Sequence, residues 1–430
     1  MSAPGTQEPR PLPASAAEKR ACSSTPEPFL LKRVFKAFQY RDFRLLWVGA
    51  CTSSIGTWMQ EIAQNWLVLE MTHSPFLLGL DAFLGDIPIF LFSLFGGVVA
   101  DRMDRRHLLI GSQLVQMTSA FTLVALIVTH NIQVWHVLVS SFVVGTAQAF
   151  GGPAYSALVP SLVEKEDLPN AIALNSIQFN VARIIGPVLG GLALKYVGSA
   201  WCFGLNGLSF VAVIISLSRL NINFKPPATS SSILDSMKQG FRFIRTQNAM
   251  GTLIAIAFCM TALAIPMITF LPVFAKDVFR KDALTYTLFL ASSGFGSVTG
   301  AIGVAALGNI ANKGRLALVM LAALGVGISG FALSKSLPLS CLILFLSGAV
   351  LICAFAMISS LVQLITPNDM RGRVMSIYNV AFRGGMPFGS LLTGYLVPIF
   401  TAPAVLAVNG LVLLTLGLYF LFIQRRVAAL

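Results

Sequence analysis

The chain has 430 residues, of which 56% are hydrophobic and only 11% charged, less than half the roughly 25% charge of a typical water-soluble domain. That composition argues against a cytosolic enzyme, a nucleic-acid binder and a secreted module, and it suffices for about twelve membrane spans of about 20 residues each. The formal charge of +13 is then read as basic residues beside the spans, where they fix topology.

Residues 1–28 are rich in Pro, Ser, Ala and charge and lack an apolar run that could form the core of a secretory signal; they predict a disordered cytoplasmic tail. Across 29–38, Phe29, Leu30, Val34 and Phe38 alternate with Lys32, Arg33 and Lys36, either as a helix lying on the bilayer surface or as the ragged start of the first span. Apolar runs of spanning length follow at 43–69, 76–99, 108–128, 132–155, 170–196, 200–218, 249–274, 284–307, 315–334, 338–364, 373–398 and 402–424. In span 1, Ser54, Thr57, Glu61, Gln64 and Asn65 recur at helical spacing as one polar stripe, which at membrane depth is expected to line water or substrate. Span 2 carries Asp81, near the outer surface where solvation is one reading, and Asp86, about 15 Å along the helix and close to the midplane. A charge at the bilayer centre costs roughly 2.5–3.5 kcal/mol on insertion scales. Asp86, Glu61 and Asp81 are therefore the candidates for a proton-carrying carboxylate, the alternative for Asp86 being a structural partner of an arginine.

Span 5 holds Ser176, Asn180 and Arg183 on one face, followed by Gly186, Pro187, Gly190 and Gly191, where small residues permit close packing and proline permits a bend. The hydrophilic stretch 219–248 divides the spans six and six and is too short for a nucleotide-binding domain. With no phosphate-cradling G-x-x-x-x-G-K-[ST] segment in the chain, uphill work would need an ion gradient. The halves repeat at an offset of 200, which pairs Ser176 with Ser376, Ile177 with Ile377, Arg183 with Arg383 and Pro187 with Pro387. Arg183 and Arg383 could hold an anionic or catechol-like group between the halves, or pin neighbouring helices through backbone carbonyls. With both ends inside, twenty Lys and Arg flank the inner side and five (Lys195, Lys276, Arg280, Lys281 and Lys335) the outer, which predicts that both termini are cytoplasmic. Six cysteines and four histidines show no metal-ligand spacing, so no metal site is expected.

The loop between spans 2 and 3 carries Gly97, Asp101, Arg102, Asp104, Arg105 and Arg106. It resembles the major facilitator superfamily pattern G-x-x-x-D-[RK]-x-G-[RK]-[RK], with Asp104 in place of the second glycine. The resemblance implies that Gly97 permits close helix approach and that the charges lock the two halves on the inner face, latching the outward-facing state. The second-half copy over 300–315 lacks the acidic residue. Gly186, Pro187, Gly190 and Gly191 look like the GPxxGG core of the superfamily's antiporter motif, which marks exporters. Where span 4 of proton antiporters often carries an arginine, this chain has Ser141, before Gly145, which leaves Arg183 as the candidate to take its place in a proton relay. Phe43, Arg44 and Trp47 entering span 1, with the loop and span 5 motifs, are similar to the efflux branch that contains the enterobactin exporter.

The expected architecture is an all-α integral membrane protein, with twelve transmembrane helices in two pseudo-symmetric six-helix bundles. Residues 1–40 form the tail, 41–218 one bundle, 219–248 a cytoplasmic linker, 249–424 the second bundle and 425–430 the C-terminus. The expected function is export of a small amphipathic molecule, siderophore or drug-like, across the inner membrane by alternating access in exchange for protons. The expectation includes no cofactor beyond the proton gradient, no nucleic acid, the bilayer as surroundings and a monomeric state. The alternatives are a gradient-independent facilitator or lysophospholipid flippase and, more remotely, a membrane-embedded enzyme or sensor.

Overall fold

The computed structural model describes residues 35–220, 233–307, 312–368, 370–424 and 426–428. Twelve long helices run through them: α1 (Arg41–Thr72), α2 (Pro75–Arg102), α3 (Arg105–Val128), α4 (Val134–Leu158), α5 (Leu168–Tyr196), α6 (Ser199–Ser218), α7 (Asn248–Thr269), α8 (Ala283–Leu307), α9 (Lys313–Leu333), α10 (Leu337–Ile365), α11 (Arg371–Phe400) and α12 (Ala402–Leu418). Ten of them are long and apolar enough to cross a membrane. The other two are α1 and α11, whose polar and charged side chains interrupt the apolar run. The apolar exterior includes exposed Trp201, Phe142, Leu208 and Leu346, a surface suited to lipid rather than water.

Local chemistry sets the helix ends. Ser74 caps α2 by accepting the Leu77 amide, with Pro75 at the first helical position. Gly198 joins α5 to α6 at φ 90°, a backbone conformation that suits a residue without a Cβ. The basic stretch between the halves contains a further helix, Ile233–Thr246, which packs on α11 and α7.

Each half repeats one packing scheme. In the first, α1 lies on α5 and α6, α2 on α4, and α3 on α4 and α6; in the second, α7 lies on α11 and α12, α8 on α10, and α9 on α10 and α12. The halves meet along α2 with α11 and α5 with α8. Helices driven together in lipid gain chiefly from close van der Waals packing, and glycines supply it: a Cβ at Gly96 would meet the Ala149 carbonyl, and one at Gly300 the Ala349 carbonyl.

The tail expected over 1–28, with residues up to 34, lies outside the described residues. Lys36–Gln39 forms a single 3₁₀ turn that packs on the protein. Lys36 pairs with Asp167 at 2.6 Å, Gln39 and Tyr40 donate to the same carboxylate, and the Ala37 amide donates to Asn170. The hydrogen bond from Lys36 holds the Asp167 carboxyl below the usual carboxylate range. Phe38 packs edge-on against Trp47, at 5.0 Å between ring centroids.

Candidate functional site

Four charged side chains converge midway along the bundle, on α1, α2, α5 and α11. Glu61 is exposed although it sits in the middle of α1, and it lies in electrostatic range of Arg183 and Asp86. The Arg183 guanidinium lies over the Trp58 ring at 5.9 Å, and Trp58 meets Phe179 edge-on at 6.1 Å. Arg383 is exposed and is the charged group acting on Asp86. Phe83 and Phe90, one turn either side of Asp86, both touch Phe388 of α11. Among the described residues neither guanidinium donates to a backbone carbonyl.

Asp81 is not solvated. It is 3% exposed, accepts from Ser141 on α4, and accepts from Gln64 on α1 at 2.8 Å. The outer surface lies near in sequence terms, but three packed helices cover the carboxylate. Ser141 is thus the partner of a buried acid. The span 1 stripe is likewise only partly open to the interior. Ser54 accepts from Gln178 of α5, Gln64 is committed to Asp81 and Ser141, and Asn65 donates to Tyr286 of α8 at 3.2 Å. A single face of α1 meets several different helices, which leaves Glu61 as its exposed charge, with Thr57 half-buried beside it. Asn180 donates back to the Ser176 carbonyl of its own helix.

The loop between α2 and α3 differs from expectation at Gly97. A Cβ there would meet nothing within 4 Å, whereas Gly96 makes the close approach, to α4. The described charges are fastened within the first half. Arg105 donates to the Ala157 carbonyl near the end of α4, and Arg106 to the Ser218 and Leu220 carbonyls at the end of α6, where helix dipoles favour cations. Asp104 caps α3 by accepting the Arg106 amide at 2.9 Å and contacts His107 at 3.0 Å. Arg102 is exposed in the last turn of α2. The Asp101 side chain lies outside the described residues, as do 308–311 of the worn second copy.

Gly186, Pro187, Gly190 and Gly191 are buried within one continuous α5. A Cβ at Gly186 would stand 2.5 Å from Trp58 Cβ, and one at Gly190 would stand 3.0 Å from Met59 Cα, so these two glycines seat α5 on α1. Gly191 instead faces Thr287 of α8, across the halves. On α11, Gly385 and Gly389 approach α7 in the same manner.

Contacts between the halves gather at one end, the face away from the motif loop. There Lys276 donates toward the Leu69 carbonyl and contacts His73 at 3.3 Å, Lys195 approaches Asp282 at 3.9 Å, Trp66 stacks on Tyr286 at 6.5 Å, and Gly79 abuts Gly394. At the motif-loop end, which is also the basic end, the apolar core around Phe43, Leu109 and Leu217 is separate from the larger core that continues from the first half into the second. The central charges therefore lie between an end where the two halves meet and a basic end where their apolar cores are separate. Sequence reasoning missed Trp58, Phe388 and Tyr286; the available signal was aromatic or hydroxyl-bearing residues within a turn of a membrane-embedded charge or amide.

The family described as transmembrane secretion effector matches residues 33–429. The enterobactin exporter EntS of Shigella boydii serotype 4 (strain Sb227) is 26% identical over 392 residues, covering 89% of this chain and 91% of the exporter. EntS of Escherichia coli O139:H28 matches over the same length at the same identity. Among solved structures, the nucleoside transporter NupG (D323A mutant) superposes with a TM-score of 0.70 at 14% identity, covering 90% of this chain and 98% of that one. A bacterial homologue of the iron transporter ferroportin in an inward-facing state gives 0.66 at 15% identity, covering 88% and 98%.

Proposed function

This chain belongs to the transmembrane secretion effector family, transporters of the major facilitator fold, and from that membership we propose that it exports a small amphipathic molecule bearing an anionic group, in exchange for protons. It is a multi-pass membrane transporter of a small molecule. In the proposed orientation the basic face is cytoplasmic, as the lysine and arginine distribution favours, so the conformation described here is open to the cell interior.

The observation that carries the reading is the pairing of two carboxylates with two arginines around one central space, walled by Trp58, Phe179 and Phe388. Guanidinium groups favour planar anions, and the aromatic walls suit the apolar body of an amphipathic cargo. Glu61 and Asp86 are the groups that would take up protons as the cargo leaves. A siderophore-like cargo is favoured by the likeness to the enterobactin exporters.

The test is a proteoliposome assay that follows cargo and protons together, after a screen of siderophores, antibiotics and dyes in cells lacking their own pumps. Cargo-driven proton movement is expected in the native protein. Asp86→Asn is expected to abolish that movement while binding stays measurable. Cargo movement that survives an uncoupler, with Asp86→Asn behaving as native, would make the protein a facilitator instead.

A further inference from the structure

The α2–α11 seam keeps a constant antiparallel register. Gly79 packs on Ser390 and Gly394, Phe83 meets Phe388 at 6.1 Å, and Gly384 abuts the Phe90 ring. Asp86 lies seven residues beyond Gly79, and Arg383 lies seven before Ser390. Seven residues are close to two full turns, so Asp86 leaves on the face by which Gly79 meets α11, about 10 Å further along the seam; Ser390 meets Gly79 through its backbone carbonyl, and Arg383 is the charged group that acts on Asp86. Gly97 and Gly372 lie eighteen residues, or five turns, from Gly79 and Ser390, at the basic end of the same two helices. A Cβ at either would meet nothing within 4 Å. The seam is thus shut from Gly79 to Phe90 and parted at Gly97 and Gly372. Asp86 and Arg383 sit just before it parts, and among the described residues no ion pair joins them.

The other acid and arginine differ in kind. Glu61 and Arg183 stand on α1 and α5, which are locked within one half by Gly186 and Gly190. Closing the seam moves α2 against α11 and leaves α1 and α5 together. In the open conformation the exposed Arg383 can be solvated, whereas closure between Phe83, Phe90 and Phe388 would enclose a guanidinium that needs a counter-anion.

We propose that Asp86 and Arg383 close into an ion pair when the seam shuts toward the basic face, the carboxylate taking the place on Arg383 that an anionic group of the cargo occupies in the open conformation. The cargo half of this statement rests on the export reading; the ion pair does not. It makes Asp86 an internal stand-in for the cargo anion.

The test is disulfide trapping between Gly97→Cys and Gly372→Cys in the full chain, with the natural cysteines replaced, in liposomes without cargo or gradient. Asp86→Asn and Arg383→Gln are each expected to lower the trapped fraction about fivefold. Asp86→Glu should keep it, and the exchange of Asp86→Arg with Arg383→Asp should recover most of it. A trapped fraction unchanged by the single substitutions, or an exchange variant no better than either single one, overturns the proposal. If Asp86→Asn does not fold, Arg383→Gln and the exchange variant give the same decision. Trapping proceeds without transport, so a protein that turned out to be a facilitator would leave this result standing.

Discussion

Asp104 enters α3 with φ −62°, a conformation open to any residue, and its carboxylate accepts the Arg106 amide. Backbone freedom is therefore not what this position requires, although the superfamily pattern has glycine here. Asp104→Ala should cost about 1 kcal/mol of stability and Asp104→Gly only a few tenths, read from thermal unfolding of the purified protein. An equal loss for both would mean that the His107 contact, rather than the cap, is the contribution that matters. At this scale the sequence displayed which residues were charged but not what they touched. Asp81 stood out as an acid in a span, yet its burial depends on Ser141, 60 positions away. The two motif arginines were readable as a basic cluster. Their role in capping α4 and α6 was not, because it follows from where those helices end in space.

Among helices, glycine has opposite meanings at two places. At Gly186 a Cβ would stand 2.8 Å from the Ile55 carbonyl and 2.5 Å from Trp58 Cβ. Gly186→Ala should thus strain the α1–α5 contact by about 1–3 kcal/mol. At Gly97 alanine meets open space and gains roughly 1 kcal/mol of helix propensity, so Gly97→Ala should hold or raise stability in this conformation while slowing transport through the closed one. Melting temperatures and transport rates of the two variants, measured together, check the contrast; a Gly97→Ala protein that transports normally would show that closure does not bring α2 and α11 into contact there. Ten helices were plain from apolar length alone. For α1 and α11 the sequence also offered apolar runs, at 43–69 and 373–398, but polar and charged side chains that line the interior or bridge to other helices interrupt them.

For the protein as a whole, the balance between open and closed faces is set by a few polar contacts at the sealed end. Tyr286→Phe removes the hydrogen bond from Asn65 and keeps the stack on Trp66. A net contribution of about 0.5–1.5 kcal/mol corresponds to a shift of roughly 2- to 10-fold toward the conformation open at that face. The labelling rate of a cysteine at Ala283, buried at the start of α8, should rise by that factor, and an unchanged rate would place the seal in the backbone packing of Gly79 and Gly394. The duplication was legible at this scale from four matched residues, and the contacts repeat it helix for helix. Which end was sealed was not legible, because two conformations of one chain share one sequence.

The polarity of α1 has a consequence for how the protein is made. This helix carries Gln60, whose partner Asn206 lies 146 residues later on α6. At about 5–20 residues per second, roughly 7–30 s of translation pass before that amide can be satisfied by the chain itself. Until then α1 must be sheltered from the acyl chains by water, by the insertion machinery or by a chaperone, and biogenesis should be most sensitive there to a slowed or truncated synthesis.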